Sequence, residues 1–168
     1  MPRKNSTRRK NGSSNQEPPQ QSFRVGRSRT GLGLFAVTPI KKGAFIVEYW
    51  GEPMRSEDAD RLSTKYLFDL GNGWTIDGAD RGNIARYANH SCKPNAEARV
   101  GRRSVRIHAA KAIQPGDEIT YDYGREYFKQ ILEPIGCKCV ACEARTTARR
   151  AGARRHRNNG ESRASASR

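Results

Sequence analysis

The chain has 168 residues, a length that suits one compact domain with tails. Lys plus Arg number 32 against 17 Asp plus Glu, so the net charge is +15, and only 35% of residues are apolar, low for a chain folded from end to end. No run approaches the ~20 apolar residues of a membrane span, and no apolar stretch follows the basic N-terminus as a secretory signal requires.

The charge is uneven. Residues 1–24 hold six Lys or Arg and one Glu (+5), and residues 143–168 hold eight Arg and two Glu (+6), so the two ends carry +11 of the +15. The N-terminal stretch is rich in Asn, Ser, Gln and Pro, and from Arg145 onward there is no Leu, Ile, Val, Phe, Tyr or Trp. Neither end buries enough apolar surface to offset its ordering entropy, so 1–22 and 145–168 are expected to be disordered basic tails. Their charge suits nucleic acid or acidic partners, or simply keeps the chain soluble.

Between the tails the elements are short. Gly31-Leu32-Gly33 reads as a turn, followed by strands at Leu34–Val37 and Phe45–Tyr49. A helix is expected over Ser56–Lys65, with Ser56 as its N-cap. Strands follow at Tyr66–Leu70 and Trp74–Asp77, then a short helix over Gly82–Ala88. Asn95–Val100 and Ser104–Ala109 flank Gly101–Arg103 as a hairpin. A strand at Glu118–Tyr121 precedes a last helix over Arg125–Leu132, stopped by Pro134. The fold class is mainly β with short helices, built from small sheets.

Cys137, Cys139 and Cys142 form C-x-C-x-x-C, and Cys92 lies far upstream. Three thiols in six residues can converge on one ion, and Cys92 is the remaining thiol for a tetrahedral structural zinc. Such a site would staple the C-terminal end to a mid-chain loop and contribute folding energy. Free intracellular thiols or a redox pair are the alternatives, and His108 and His156 are bystanders.

Several stretches acquire meaning together: GLGLFA (31–36), EYWGE (48–52), YLFDL (66–70), GNIARYANHSCKPN (82–95), GDEITYDYG (116–124) and CKCVAC (137–142). In this order they resemble the SET-domain protein lysine methyltransferases with their zinc-binding post-SET segment. The resemblance implies a SET domain over 23–124, of small twisted sheets with a knot-like C-terminal crossing, and a post-SET segment over 125–144. It also implies S-adenosylmethionine as cofactor, held by Gly31, Leu32, Gly33, Tyr66, Asn89, His90 and Tyr123. Tyr123 matches the central catalytic tyrosine, Tyr49 lies where cofactor and lysine channel meet, and Tyr121 tunes the number of methyl groups. Tyr at that position implies mainly monomethylation. The family-typical substrate is a histone or another basic, nucleic-acid-associated protein. The expected location is inside the cell, at the chromosome in a eukaryote and otherwise in the cytoplasm.

The chemistry needs these groups. Methyl transfer from a sulfonium to an amine is an in-line displacement, and a free lysine, with a pKa of ~10.4, must first lose its proton. A narrow apolar channel beside a positive charge disfavours the ammonium form, and positioning does much of the rest. No strong general base is required, so Asp117, Glu118 and Asp122 read as turn or solvent-facing residues. Tyr127 and Phe128 could wall the channel or pack in the core. The cysteine run is shorter than the family's usual C-x-C-x4-C. From another class, the rival reading is a catalytically silent, zinc-stapled binding module with nucleic-acid-binding tails.

Overall fold

The computed structural model describes residues 22–165, with side chains as far as Gly152. The tail expected at 1–22 lies, but for Ser22, outside the described residues. Ten strands form three small sheets: β1 (Phe23–Ser28), β2 (Gly31–Ala36), β10 (Glu118–Tyr121) and β7 (Asn89–His90) in that order; β3 (Phe45–Tyr49), β9 (Val105–Ala109) and β8 (Ala96–Val100); and β4 (Glu52–Arg55), β6 (Trp74–Asp77) and β5 (Leu67–Asp69). The mainly β class with small sheets is what the sequence leads one to expect.

Alternation drives the sheets. In β9, Val105, Ile107 and Ala109 are buried while Arg106 faces out, the period-2 pattern of a strand with one face in the core. In β10, Ile119 and Tyr121 go inward by the same rule. Leu34, Ile40, Ile76, Ile107, Ile113 and Ile119 meet where the sheets converge.

The crossing that positions the site involves β7 and β10. They pair in parallel, Thr120 opposite Asn89 and Tyr121 opposite His90. The loop after β7 stays against β10: the Ser91 N–H donates to the Tyr121 carbonyl at 3.1 Å, and the Asn95 side chain donates to the Glu118 carbonyl at 2.8 Å and accepts from the Thr120 N–H at 2.9 Å. A parallel pair needs a long connection; here the β8–β9 hairpin supplies it, and the chain returns alongside the loop it left.

Some expectations are corrected. Gly31-Leu32-Gly33 opens β2 rather than forming a turn; the turn is at Arg29–Thr30, because β1 pairs along the whole of β2. The helix at Ser56 is one turn, α1 (Ser56–Ala59), and Ser56 is not its N-cap: its hydroxyl lies 3.0 Å from that of Thr75 instead. Pro134 does not stop the last helix. The run α2 (Arg125–Tyr127), a wide π-helical turn at Phe128–Leu132 and α3 (Glu133–Ile135) continues past it, since proline fits the opening of α3, and Gly136 ends it at φ 79°.

The largest correction concerns the Arg-rich tail. Helix α4 (Val140–Ser165) runs through most of it. The composition argument holds in one respect, for as far as Gly152 α4 buries no apolar stripe. Alanine and arginine, however, are strong helix formers, and local propensity orders the backbone without a core.

Candidate functional site

Tyr49, Tyr121 and Tyr123 come together from three elements. Tyr121 faces the core from β10 and is 5% exposed, and its ring lies 4.9 Å from that of Tyr123. Phe68 of β5 bridges the group, 6.2 Å from Tyr121 and 5.5 Å from Tyr49. Tyr127 stands edge-on to Tyr123 at 5.1 Å, so it packs on the cluster. Gly78 makes the close approach possible, because a Cβ there would lie 2.4 Å from the Tyr49 hydroxyl.

The hydroxyls are not equivalent. Tyr49 donates to the Tyr66 carbonyl at 2.6 Å, and Tyr123 donates to the Ala88 carbonyl at 2.9 Å. Among the described residues nothing accepts the Tyr121 hydroxyl. Burial pushes all three phenols up from their usual range, with neighbouring phenols adding to the effect at Tyr121 and Tyr123. They stay protonated at neutral pH and act as hydrogen-bonding groups, not bases.

His90 lies between this cluster and a polar cleft. Its ring is 5.5 Å from Tyr123 and 5.6 Å from Phe128. On its other side opens a cleft of about 310 Å³, bounded by Ser28–Thr30, by Asn89 and His90, and by Lys138–Val140. Asn89 donates to the Leu32 carbonyl at 2.9 Å and to Glu118 Oε1 at 2.7 Å, and the Ser28 hydroxyl reaches the same oxygen at 2.7 Å. Glu118 is therefore not solvent-facing. It clamps three strands, and it occupies the space of a Cβ on Gly33, which would sit 2.5 Å from Oε1. Asp117 and Asp122 do serve turns, accepting from Gln114 N–H and Gly124 N–H.

The four cysteine sulfurs lie within 4.8 Å of one another. Cys92 Sγ is 3.5 Å from that of Cys142 and 4.0 Å from that of Cys137. A tetrahedron with Zn–S bonds of about 2.3 Å has edges of about 3.8 Å, so the donor set fits zinc in both chemistry and span. The short spacing closes because Cys142 sits in the first turn of α4, its N–H on the Cys139 carbonyl at 3.0 Å. Burial works against ionising Cys139, yet backbone N–H donors at Cys92 and Cys142 outweigh it and bring the thiol down to about 6, whereas burial and the neighbouring thiols push Cys92 and Cys137 up, so a cation among the sulfurs would be needed to ionise the whole set.

With this geometry in hand the comparisons decide the family. The SET domain family model matches residues 31–124, more than half of the chain. The chain belongs to the SET-domain family.

A histone-lysine N-methyltransferase of Schizosaccharomyces pombe, H3 lysine-4 specific, is 38% identical over 73% of this chain and 14% of its own length. Histone-lysine N-methyltransferase Set2 of Drosophila melanogaster is 36% identical over 76% of this chain and 6% of its own. A crystal structure of the polycomb repressive complex 2 of Chaetomium thermophilum superposes with a TM-score of 0.57 at 29% identity, over 62% of this chain and 15% of that one. The SET chain spans only a small part of the length of these relatives.

The SET architecture separates the residues named from sequence into two groups. Asn89 and His90 line the cleft, whereas Gly31–Gly33 do not: they follow directly on its Ser28–Thr30 edge and touch it through the Leu32 carbonyl on Asn89; Gly31, at φ 117°, has nothing within 4 Å of where a Cβ would be. Tyr49, Tyr66, Tyr121 and Tyr123 lie beyond His90, and Tyr66 packs under the Arg86 guanidinium at 3.6 Å. Sequence reasoning missed Ser28–Thr30, Phe68 and Lys138. Only the order of the strands brings them here.

Proposed function

We propose that the chain is a protein-lysine N-methyltransferase that uses S-adenosylmethionine. The observation that carries this reading is the position of His90, one wall shared by a polar cleft and a cluster of protonated tyrosines. The polar groups along that cleft, among them Ser28, Asn89 and Glu118, fit an amino-acid and nucleoside ligand, with the open backbone of Gly31 just past its Ser28–Thr30 edge. When bound, the cofactor supplies an electrophilic methyl group on a sulfonium. A histone or another basic, nucleic-acid-associated protein is the proposed substrate, by analogy with the histone-lysine methyltransferases it resembles, and a chromosomal location goes with it.

The chain's own residues then position and exclude. Tyr49, Phe68 and Tyr121 form a largely buried aromatic wall, which disfavours a lysine ammonium and favours the neutral amine that must attack. The proton leaves to solvent, because no phenol here is basic enough to take it. Tyr123 is held through its hydroxyl on Ala88 and its N–H on His90, and so presents a fixed ring edge and oxygen where the methyl group travels. Tyr121 keeps an uncommitted hydroxyl for the amine or a water, which leaves little space for a second methyl group and supports a mainly monomethyl product.

Cys92, Cys137, Cys139 and Cys142 would hold a structural zinc that keeps Lys138–Val140 against the cleft. The test is transfer of labelled methyl from S-adenosylmethionine to histones, with Tyr123→Phe as the control. Incorporation on lysine, lost in the variant, is expected. A well-folded, zinc-loaded chain that labels no lysine protein overturns the reading in favour of a binding module.

A further inference from the structure

Helix α4 begins inside the cysteine cluster. Its first turn contains Cys142, and the Arg145 guanidinium donates to Cys142 Sγ at 2.7 Å. The Thr146 hydroxyl donates to the Cys142 carbonyl at 3.0 Å, and Glu143 pairs with Arg29 at the β1–β2 turn. The start of the helix is thus fixed beside the cleft. From there it spans 26 residues, about 39 Å at about 1.5 Å per residue.

Its sequence holds seven Arg against two Glu, one near each end. Arg149 and Arg150 are exposed and form no ion pair among the described residues. At about 100° per residue, positions 145, 149, 150, 154, 155 and 157 fall on every side of the axis. No apolar stripe runs along the helix, so it has no face for a hydrophobic partner. An acidic protein surface meets one side of a helix, and charge on the far side would be idle. Charge on all sides matches a partner that encloses the helix. Duplex nucleic acid does this, with phosphates along both walls of a groove about 12 Å wide and an α-helix about 10–12 Å across.

We propose that α4 is a binding element for duplex nucleic acid, seated in a phosphate-lined groove, and that the cysteine cluster fixes the direction in which it leaves the cleft. The proposal is independent of methyl transfer, since binding needs neither cofactor nor lysine. Nucleic acid held there would lie beside the site, and would offset the repulsion between a cationic enzyme and a basic substrate.

The experiment is fluorescence anisotropy of the full, zinc-loaded chain with a labelled duplex of about 20 base pairs across a salt series. Log affinity should fall linearly with log salt, and the Arg149→Gln, Arg150→Gln double variant should flatten the slope by about 1.8, about 0.9 for each lost phosphate contact. Zinc content should be unchanged in that variant. Ala148→Pro keeps every charge and breaks the helix, and weaker binding is expected. A wild-type slope in the double variant overturns the proposal, as does full binding by Ala148→Pro. Competition by polyglutamate as effective as by the duplex also overturns it.

Discussion

The backbone N–H of Tyr123 donates to Nδ1 of His90 at 3.2 Å. A ring nitrogen that accepts carries no proton, so the neutral imidazole keeps its hydrogen on Nε2, 3.3 Å from Cys92 Sγ. Burial lowers the His90 pKa from its usual value despite the Asp122 carboxylate 3.7 Å from Nδ1, which favours this neutral form. One imidazole therefore joins the tyrosine cluster to the thiolates. His90→Ala removes both bonds, and outer partners of metal ligands typically matter by about 10–100-fold. Methyl transfer and zinc retention should both fall by about tenfold or more, followed by labelled-methyl incorporation and by zinc release to a chromogenic chelator. Fast zinc loss is the part that a purely cofactor-binding histidine would not produce.

Chelation should lower activity and melting temperature together. The cysteine cluster holds Lys138–Val140 against the cleft and ties residue 92 to the C-terminal segment, so removing the metal frees both. Cys92→Ser should behave in the same way, and elemental analysis should find one zinc per chain before treatment and none after. Full activity in the metal-free protein would remove the claim.

Strands β3, β5, β6, β8, β9 and β10 were legible because alternation and glycine punctuation mark them locally. The cysteines were legible because thiols that close together in sequence have few other uses. Strand β1, β4 and the two-residue β7 were not, since each exists only through its pairing: β1 with β2, β4 with β6, and β7 with β10. Glu118 was misread for the same reason. Nothing in its neighbours reveals that Ser28 and Asn89 arrive from strands 90 and 29 residues away to share one carboxylate oxygen. The motif residues were found by resemblance, and the structure adds that they lie on two sides of His90.

Glu118 gives a graded test. Both donors use Oε1, and Gln keeps an oxygen there, so Glu118→Gln should be mild. Glu118→Ala leaves two donors unanswered in a part-buried setting, a loss of about 1–3 kcal/mol in stability. It should also release Asn89, raising KM for the cofactor more than it lowers kcat. Equal effects of the two variants on KM would refute the clamp.

Tyr121→Phe removes a buried hydroxyl that nothing among the described residues accepts, so its structural cost should be within about 0.5 kcal/mol. The space it vacates admits a larger amine. Mass spectrometry of the product should move from monomethyl toward dimethyl and trimethyl lysine, with the melting temperature nearly unchanged. A wild-type product ratio would show that another group limits methylation.

The raised phenols also set a stability limit on the alkaline side. Below about pH 10 the tyrosines are protonated whether the chain is folded or not, so they add no pH dependence. Above it the unfolded chain ionises while Tyr49, Tyr121 and Tyr123 resist, chiefly through burial. The unfolded state then binds fewer protons than the folded one, and stability falls as pH rises. The urea midpoint should drop from about pH 10 upward, and less steeply in the Tyr121→Phe, Tyr123→Phe double variant. Ultraviolet tyrosinate absorbance gives the complementary reading: in the native protein the late-ionising fraction should shrink in the double variant, with Tyr49 remaining. An equally steep decline in both proteins would mean that other groups govern the alkaline transition, and that these phenols are less enclosed than their packing implies.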